Sequence, residues 1–243
     1  LILEVVRPSS QALNALLEHH PRVSLTEGES PSVGLVFFQG AWRREIRVGD
    51  VDGAVFGLVE LEDNNPLVCA DVTSVPSAAG TLALVALGPL ARACLLLEPP
   101  LLQLSFEADE ERVARELAVT GWSGGVTLDC EPRDLGGVLA AAAIAEIPTL
   151  DRFEELDELY EEAYGRSFFV REAEEAEWHV DLVRGRPNAA YRLRLTPGDD
   201  RSLLTVLAMA DAEGKCGAAQ IVHAMNVMAC FEEGLGIPDQ SGW

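Results

Sequence analysis

The chain opens on an apolar run, Leu1 to Val6, broken by Pro8, Ser9 and Ser10. Leu13, Leu16 and Leu17 then recur at helical spacing, with Ser9 or Ser10 placed to cap the helix. Pro21 ends that helix and Val23 to Leu25 begins an extended piece, so the pattern predicts the first half of a β-α-β unit. Gly28 to Pro31 reads as a turn. "VGLVFF" reads as a buried strand, and "AWRREIRV" as a second, with Ile46 and Val48 alternating against charge. "CADVTSV" predicts a strand ending at Pro76. "AAGTLALVALGPLARACLL" is apolar nearly all round, which predicts a buried helix with Pro89 near its end. "LLQLSF" and "GVTLDCEP" read as strands flanking the acidic helix "DEERVARELAV".

In "TLDRFEELDELYEEAY", Phe153, Leu156, Tyr160 and Tyr164 form one stripe and acids fill the other face, with Thr149 or Asp151 placed to cap. "WHVDLV", "AAYRLRLT" and "LLTVLAMA" predict strands, the last fully buried. A final helix is expected from about Lys215 to Glu233, yet it carries Lys215, Gln220, His223 and Asn226 among apolar residues. The order of elements predicts an α/β (α+β) fold. A truncated Rossmann-like part over 1–75 is followed by a mixed α/β domain over 76–210. A C-terminal helix and tail over 211–243 pack back on the N-terminal part.

Composition narrows the function classes. Of 243 residues, 48% are hydrophobic, enough for a substantial core. The formal net charge is −22, which repels phosphate backbones and anionic membranes, so neither nucleic acid nor membrane is an expected partner. The longest apolar run, Gly136 to Ile147, is too short to span a bilayer. Five cysteines without a C-x-x-C pair, and no signal-peptide pattern, read as reduced thiols of a cytoplasmic protein. Lys215 is the only lysine, and the excess of acid also fits a saline cytoplasm.

Asp211 to Met228, "DAEGKCGAAQIVHAMNVM", resembles the C-terminal DNLVKGAAGQAVQNMNLM pattern of the N-acetyl-gamma-glutamyl-phosphate reductase family, which is related to aspartate-semialdehyde dehydrogenase. Asp211, Lys215, Ala218, Gln220, Val222, Met225, Asn226 and Met228 match it without a gap. "LYEEAYGRSFFVRE", "VFGLVEL", "TLALVALGPLARACLL" and "HHPRVSL" resemble further family segments in the same order. The resemblance implies an NADP-dependent reductase of arginine biosynthesis and a C-terminal domain that builds a subunit interface through its sheet.

The departures fall on the chemistry. Against the family's NPGCYPT, "VPSAAGT" places Ala78 at the nucleophilic cysteine, and a methyl group cannot form the thioester. Ser77 beside it and Cys69 are the weak catalytic candidates, Ser77 with no base visible in sequence and Cys69 in a strand where a thiol is inert. Glu4, Arg7 and Ser10 align with the glycines of the family's dinucleotide fingerprint, where side chains crowd a pyrophosphate. The base motif HRHTPEI has no counterpart between Phe106 and Val126.

Candidate ligand-binding residues are Lys215, Gln220 and Asn226 on the final helix, and Arg184 and Arg186 in "VRGRPN". Against these stand plainer readings: Lys215 pairing locally with Asp211 or Glu213, and the two arginines pairing with surface acids. His19, His20, His179 and His223 lack metal-ligand spacing, so no metal is expected. The leading expectation is a pseudoenzyme that acts as an assembly, scaffold or regulatory protein and needs no cofactor. Its partner would be itself, an intact reductase or another protein. Two alternatives stand beside it: an NADP-dependent acyl-phosphate reductase with relocated groups, and a small-ligand sensor for an acidic amino-acid derivative.

Overall fold

The computed structural model describes every residue except 30–32, 63, 151 and 240–243, so the expected turn at Pro31 and cap at Asp151 lie outside it. The first sheet holds β1 (Leu3–Val6), β2 (Val23–Thr26), β3 (Leu35–Gln39), β4 (Trp42–Val48), β5 (Val55–Phe56) and β6 (Val72–Val75). Their order is β2-β1-β3-β4-β6-β5. Helix α1 (Gln11–Glu18) joins β1 to β2, which run parallel as expected. Ser10 caps α1, its Oγ accepting from Leu13 N at 3.2 Å.

Only Gly40 and Ala41 separate β3 from β4, and so short a connection permits only an antiparallel pair. Gly40 takes φ +67°, a left-handed turn conformation that costs glycine little. The Rossmann-like start is therefore confined to β1-α1-β2, and the sheet becomes mixed at β3. Cys69 departs from expectation. It ends a short helix, α2 (Asn64–Cys69), is exposed, and the strand begins only at Val72. Pro66 in the first turn has the fixed φ that a helix start accepts.

The second sheet holds β7 (Leu101–Leu104), β8 (Thr127–Cys130), β9 (Val138–Pro148), β10 (Val170–Glu172), β11 (Ala189–Thr196) and β12 (Arg201–Asp211), in the order β10-β11-β12-β9-β7-β8. The apolar run noted in sequence becomes the central strand β9. Ala141, Ala143, Ala145 and Ile147 face the main core, under α3 (Ala78–Arg92), α4 (Glu110–Ala118) and α5 (Glu154–Tyr164). Inside α3, Pro89 has no N–H to offer Val85 O. The Tyr164 hydroxyl donates there instead, at 3.2 Å, and to Leu84 O at 2.9 Å, while Tyr160 donates to Ala86 O. The tyrosine stripe of α5 thus repairs the helix it covers.

"WHVDLV" is not a strand: Val180–Leu182 is a 3-10 turn. Its alternation arises because Trp178, Val180 and Leu182 pack across the far face of the sheet, against a cluster that includes Met209, Ala190 and Val183. The final helix, α6 (Ala218–Met228), is shorter than expected at both ends, and every residue in it is buried. It packs on α1, α2, β4 and β6.

Arg44 holds that corner together. It is fully buried in the middle of β4, with its guanidinium stacked on Trp42 at 4.1 Å. It donates to Leu67 O, Val68 O and Ala70 O at the end of α2, and to Met228 O at the end of α6. One cation therefore satisfies the carbonyl ends of two helices, where the helix dipoles favour positive charge. Arg44→Met is expected to lower the unfolding free energy by about 2–4 kcal/mol, because buried carbonyls are left unpaired. Arg44→Lys recovers only part, since an ammonium cannot reproduce the planar fork. Urea unfolding of both variants checks this, and wild-type stability in Arg44→Met would refute it.

Candidate functional site

The N-terminus of α3 carries Ser77 as its cap and Ala78 as its first residue. A carboxyl group from α4 fills this end. Ser77 Oγ donates to Glu116 Oε2 at 2.8 Å, and Ser77 N donates to Glu116 Oε1 at 3.3 Å. Arg112, one turn away on α4, contacts Glu116 Oε1 at 3.3 Å. Glu116 is fully buried, and burial pushes its carboxyl above the ordinary range despite Ser77 and Arg112. A Cβ on Gly80 would stand 1.4 Å from Glu116 Oε2, so the carboxyl lies against bare backbone that only glycine provides. Sequence reasoning missed Glu116. The signal was its place beside Val113 and Leu117 on the buried side of an otherwise acidic helix. Ser77 is thus not without a carboxylate partner, which corrects the expectation from sequence.

Cys216 lies beside this helix end, its Sγ 3.8 Å from Ala78 O. Burial pushes its pKa up to about 12, so it rests as a thiol and not as a thiolate. Cys69, the weak candidate from sequence, sits exposed at the end of α2.

The mouth of α1 differs from the register inferred in sequence. Glu4 lies inside β1, opposite Ser24 and Phe38, and does not face the turn. Arg7 is engaged with Glu18 at 2.8 Å and Glu27 at 3.8 Å. Only Ser10 stands at the helix end. Pro8, Ser9 and Ser10 line one side of a cavity of about 280 Å³, and Gly217 and Gln220 line the other.

The polar residues of the final helix answer to one another. Asp211 accepts from Gly185 N, Glu213 N and Gly214 N, and this builds the turn that precedes α6. Lys215 lies in that turn, not in the helix. It does not pair with Asp211 or Glu213: its ammonium meets Glu60 Oε1 at 2.5 Å, 155 positions away in sequence, with both side chains at most 3% exposed. His223 Nδ1 stands 3.4 Å from the same ammonium, and His223 Nε2 lies 3.0 Å from Glu233 Oε2. Phe169 covers the group, 4.3 Å from the His223 ring and 5.5 Å from the ammonium. Gln220 bonds Thr81 and Pro76 O. Asn226 meets His20 Nε2 at 3.0 Å and donates to Glu233 O and Leu235 O. The stretches that carry the resemblance contribute to two polar groups on α6: Glu60 from "VFGLVEL", Phe169 and His20 join Lys215, His223 and Asn226, and Thr81 pairs with Gln220.

Lys215, Gln220 and Asn226 are each at most 2% exposed and engaged with other groups of the fold, and Gln220 also borders the cavity at the mouth of α1. Arg184 pairs with Asp181 at 2.5 Å and donates to Leu135 O, the surface pairing anticipated for it. Arg186 is half-buried on the same loop, and its backbone N–H bonds Val183 O. No group of three or more potential metal ligands occurs among the described residues. Nor is any helix among them long and apolar enough to cross a membrane.

Two predictions follow from these environments. Iodoacetamide should label Cys69, Cys94 and Cys230, which are exposed, and spare buried Cys216 in the folded protein; peptide mapping that finds Cys216 modified first would contradict the assignment. The second concerns pH. Burial, then the charge of Lys215, holds the His223 pKa below its ordinary 6.5, and burial does the same for His20. As pH falls below that ordinary value the unfolded chain takes up protons first, so stability present above it is lost. Glu116 acts with opposite sign, since its raised pKa favours the folded state as acid is added. The comparison is therefore wild type against His223→Gln, where the loss between pH 7 and pH 5 should shrink. An equal loss of unfolding free energy in both proteins, from urea titrations at the two pH values, would refute it.

No protein-family model matches the chain. N-acetyl-gamma-glutamyl-phosphate reductase of Archaeoglobus fulgidus is 37% identical over 101 residues, which is 42% of this chain and 28% of that enzyme. The chain thus spans well under two thirds of the relative it matches. In fold it is similar to aspartate semialdehyde dehydrogenase II of Vibrio cholerae, in two crystal structures, one of them complexed with ASA. Each has a TM-score of 0.66 at 11% identity and covers 95% of this chain and 99% of the other, a likeness of fold alone. The chain is thus similar in sequence to N-acetyl-gamma-glutamyl-phosphate reductase over a local stretch, and along nearly its whole length it has the fold of aspartate semialdehyde dehydrogenase.

Proposed function

We propose that this protein is a non-catalytic homologue, a pseudoenzyme, of N-acetyl-gamma-glutamyl-phosphate reductase that works as an assembly, scaffold or regulatory component. The observation that carries the reading is the end of α3. The nucleophile position is Ala78, and the space before the helix is taken by the Glu116 carboxyl, bonded to Ser77 and pressed on Gly80. A thioester needs a thiolate there, and the adjacent thiol of Cys216 is held protonated. The mouth of α1 is a poor fit to a dinucleotide. Side chains of Pro8, Ser9 and Ser10 stand where close backbone approach to a pyrophosphate is needed.

Assembly is supported by the outer face of the second sheet. The segment around Val180 covers one end of it. The rest presents Leu101 and Leu203, 36% and 42% exposed, beside Ile144 and Leu207. Arg194 on β11 borders one side and Asp129 on β8 the other. A second copy related by a two-fold axis along the strands brings each arginine edge over an acidic edge, which makes the face self-complementary. Native mass spectrometry of the wild type should give a dimer, and Leu203→Glu with Leu207→Glu should give monomers that remain folded. Titration with NADPH should be flat. A monomeric wild type, or saturable NADPH binding, would defeat the reading.

The alternative of a reductase with relocated groups has one observation in its favour. Ser77 donating to a buried carboxylate is also how a nucleophile meets its base. Stoichiometric labelling of Ser77 by a fluorophosphonate, with turnover of NADPH, would favour that alternative.

A further inference from the structure

A cavity of about 760 Å³ opens between the 3-10 turn at Val59–Leu61, the C-terminal end of α3 and the exposed end of α5. The 15 residues of α3 place it about 22 Å from Ser77, so it is separate from the ancestral reaction centre. Its walls are half apolar, with Leu61, Pro89 and Ala163, and half charged. Arg92 on the rim is paired with Glu62 at 2.7 Å, and Glu233 is tied to His223 at 3.0 Å. Glu60 stands at the back. One of its oxygens is held by Lys215 and Ser167, and the other has no hydrogen-bond partner among the described residues.

Arg166, with Glu162 one turn before it on α5, differs from these groups. Its side chain makes no ion pair or hydrogen bond among the described residues, in a chain with 40 acids against 18 basic groups. Other arginines, Arg22 and Arg194 among them, also show no ion pair among the described residues, but Arg166 borders a cavity of ligand size, so its guanidinium is open to a carboxylate there. The opposite wall, with Glu62 and Glu233, has the reverse sign. A simple anion meets more carboxylates than guanidinium groups, and a simple cation leaves Arg166 unused. A small molecule that carries both charges satisfies both walls.

We propose that this cavity binds a free amino acid of neutral or basic side chain. Its carboxylate is taken by Arg166, its ammonium faces Glu62 and Glu233, and its aliphatic part lies on Leu61, Pro89 and Ala163. This site does not depend on the assembly reading, since α5 lies on the inner side of the second sheet and the dimer face on the outer side.

The test is calorimetry and thermal shift on the full chain with L-leucine, L-lysine, L-arginine and L-glutamate. Putrescine and propionate serve as half-ligands with one charge each. A neutral or basic amino acid should bind at millimolar concentration or below, with L-glutamate and both half-ligands weaker. Arg166→Ala should weaken binding about tenfold or more, the loss of a charged hydrogen bond. Arg166 is exposed and supports no other residue, so this variant should keep wild-type stability. Absence of binding by all four amino acids would overturn the proposal. So would L-glutamate binding best, or unchanged affinity in Arg166→Ala.

Discussion

The ion pair between Lys215 and Glu60 constrains the molecule more than any other contact. Two opposite charges are taken out of water at a separation of 2.5 Å, which costs several kcal/mol of solvation for each ion. That cost is tolerable only if the geometry is held. Asp211 therefore builds the turn that aims Lys215, Ser167 donates to the Glu60 carboxylate, and Phe169 seals the group from solvent. Burial acts to raise the Glu60 pKa, but the ammonium of Lys215 and then His223 outweigh it and hold the carboxyl below its ordinary range. Removing either partner strands a buried charge, which makes both residues necessary to the fold.

Arg44 does for the first sheet what that pair does for the joint between the sheets. It offers a fork of donors to the carbonyl ends of α2 and α6 and neutralises both helix dipoles without a carboxylate partner. Together the two cations fix α6 from both ends: Lys215 before its first turn and Arg44 after its last. The helix can then be buried on all sides, with Gln220, His223 and Asn226 satisfied internally. Those polar residues look catalytic in sequence because buried polar clusters and active sites draw on the same residue types.

The resemblance and the site separate in space. The stretches similar to the reductase family converge on the network around α6, whereas the positions that would perform reductase chemistry lie at the mouths of α1 and α3. There the residues are altered: Ser10 and its neighbours border a cavity of about 280 Å³ at one helix, and the Glu116 carboxyl fills the space at the other. Scaffold and chemistry occupy different ends of the helices, so one can persist without the other. Fold and chemistry are carried by different residues, so the fold by itself does not decide the activity.

Local pattern by itself determined most of the elements. Leu13, Leu16 and Leu17 marked α1, the tyrosine stripe marked α5, the all-round apolar run marked α3, and alternation marked β4, because each signal is local and its period is set by backbone geometry. The sequence alone also showed that Ala78 cannot be a nucleophile, since that depends only on what a side chain contains. Only the tertiary structure decided what the polar residues are for. Lys215 finds Glu60 across 155 positions, Glu116 finds Ser77 across 39, and Arg44 finds Met228 across 184. It also turned the alternation of "WHVDLV" into a covering segment and left Arg166 facing a cavity without a partner. A residue's partner depends on which distant segment the fold brings to it, and periodicity along the chain does not encode that distance.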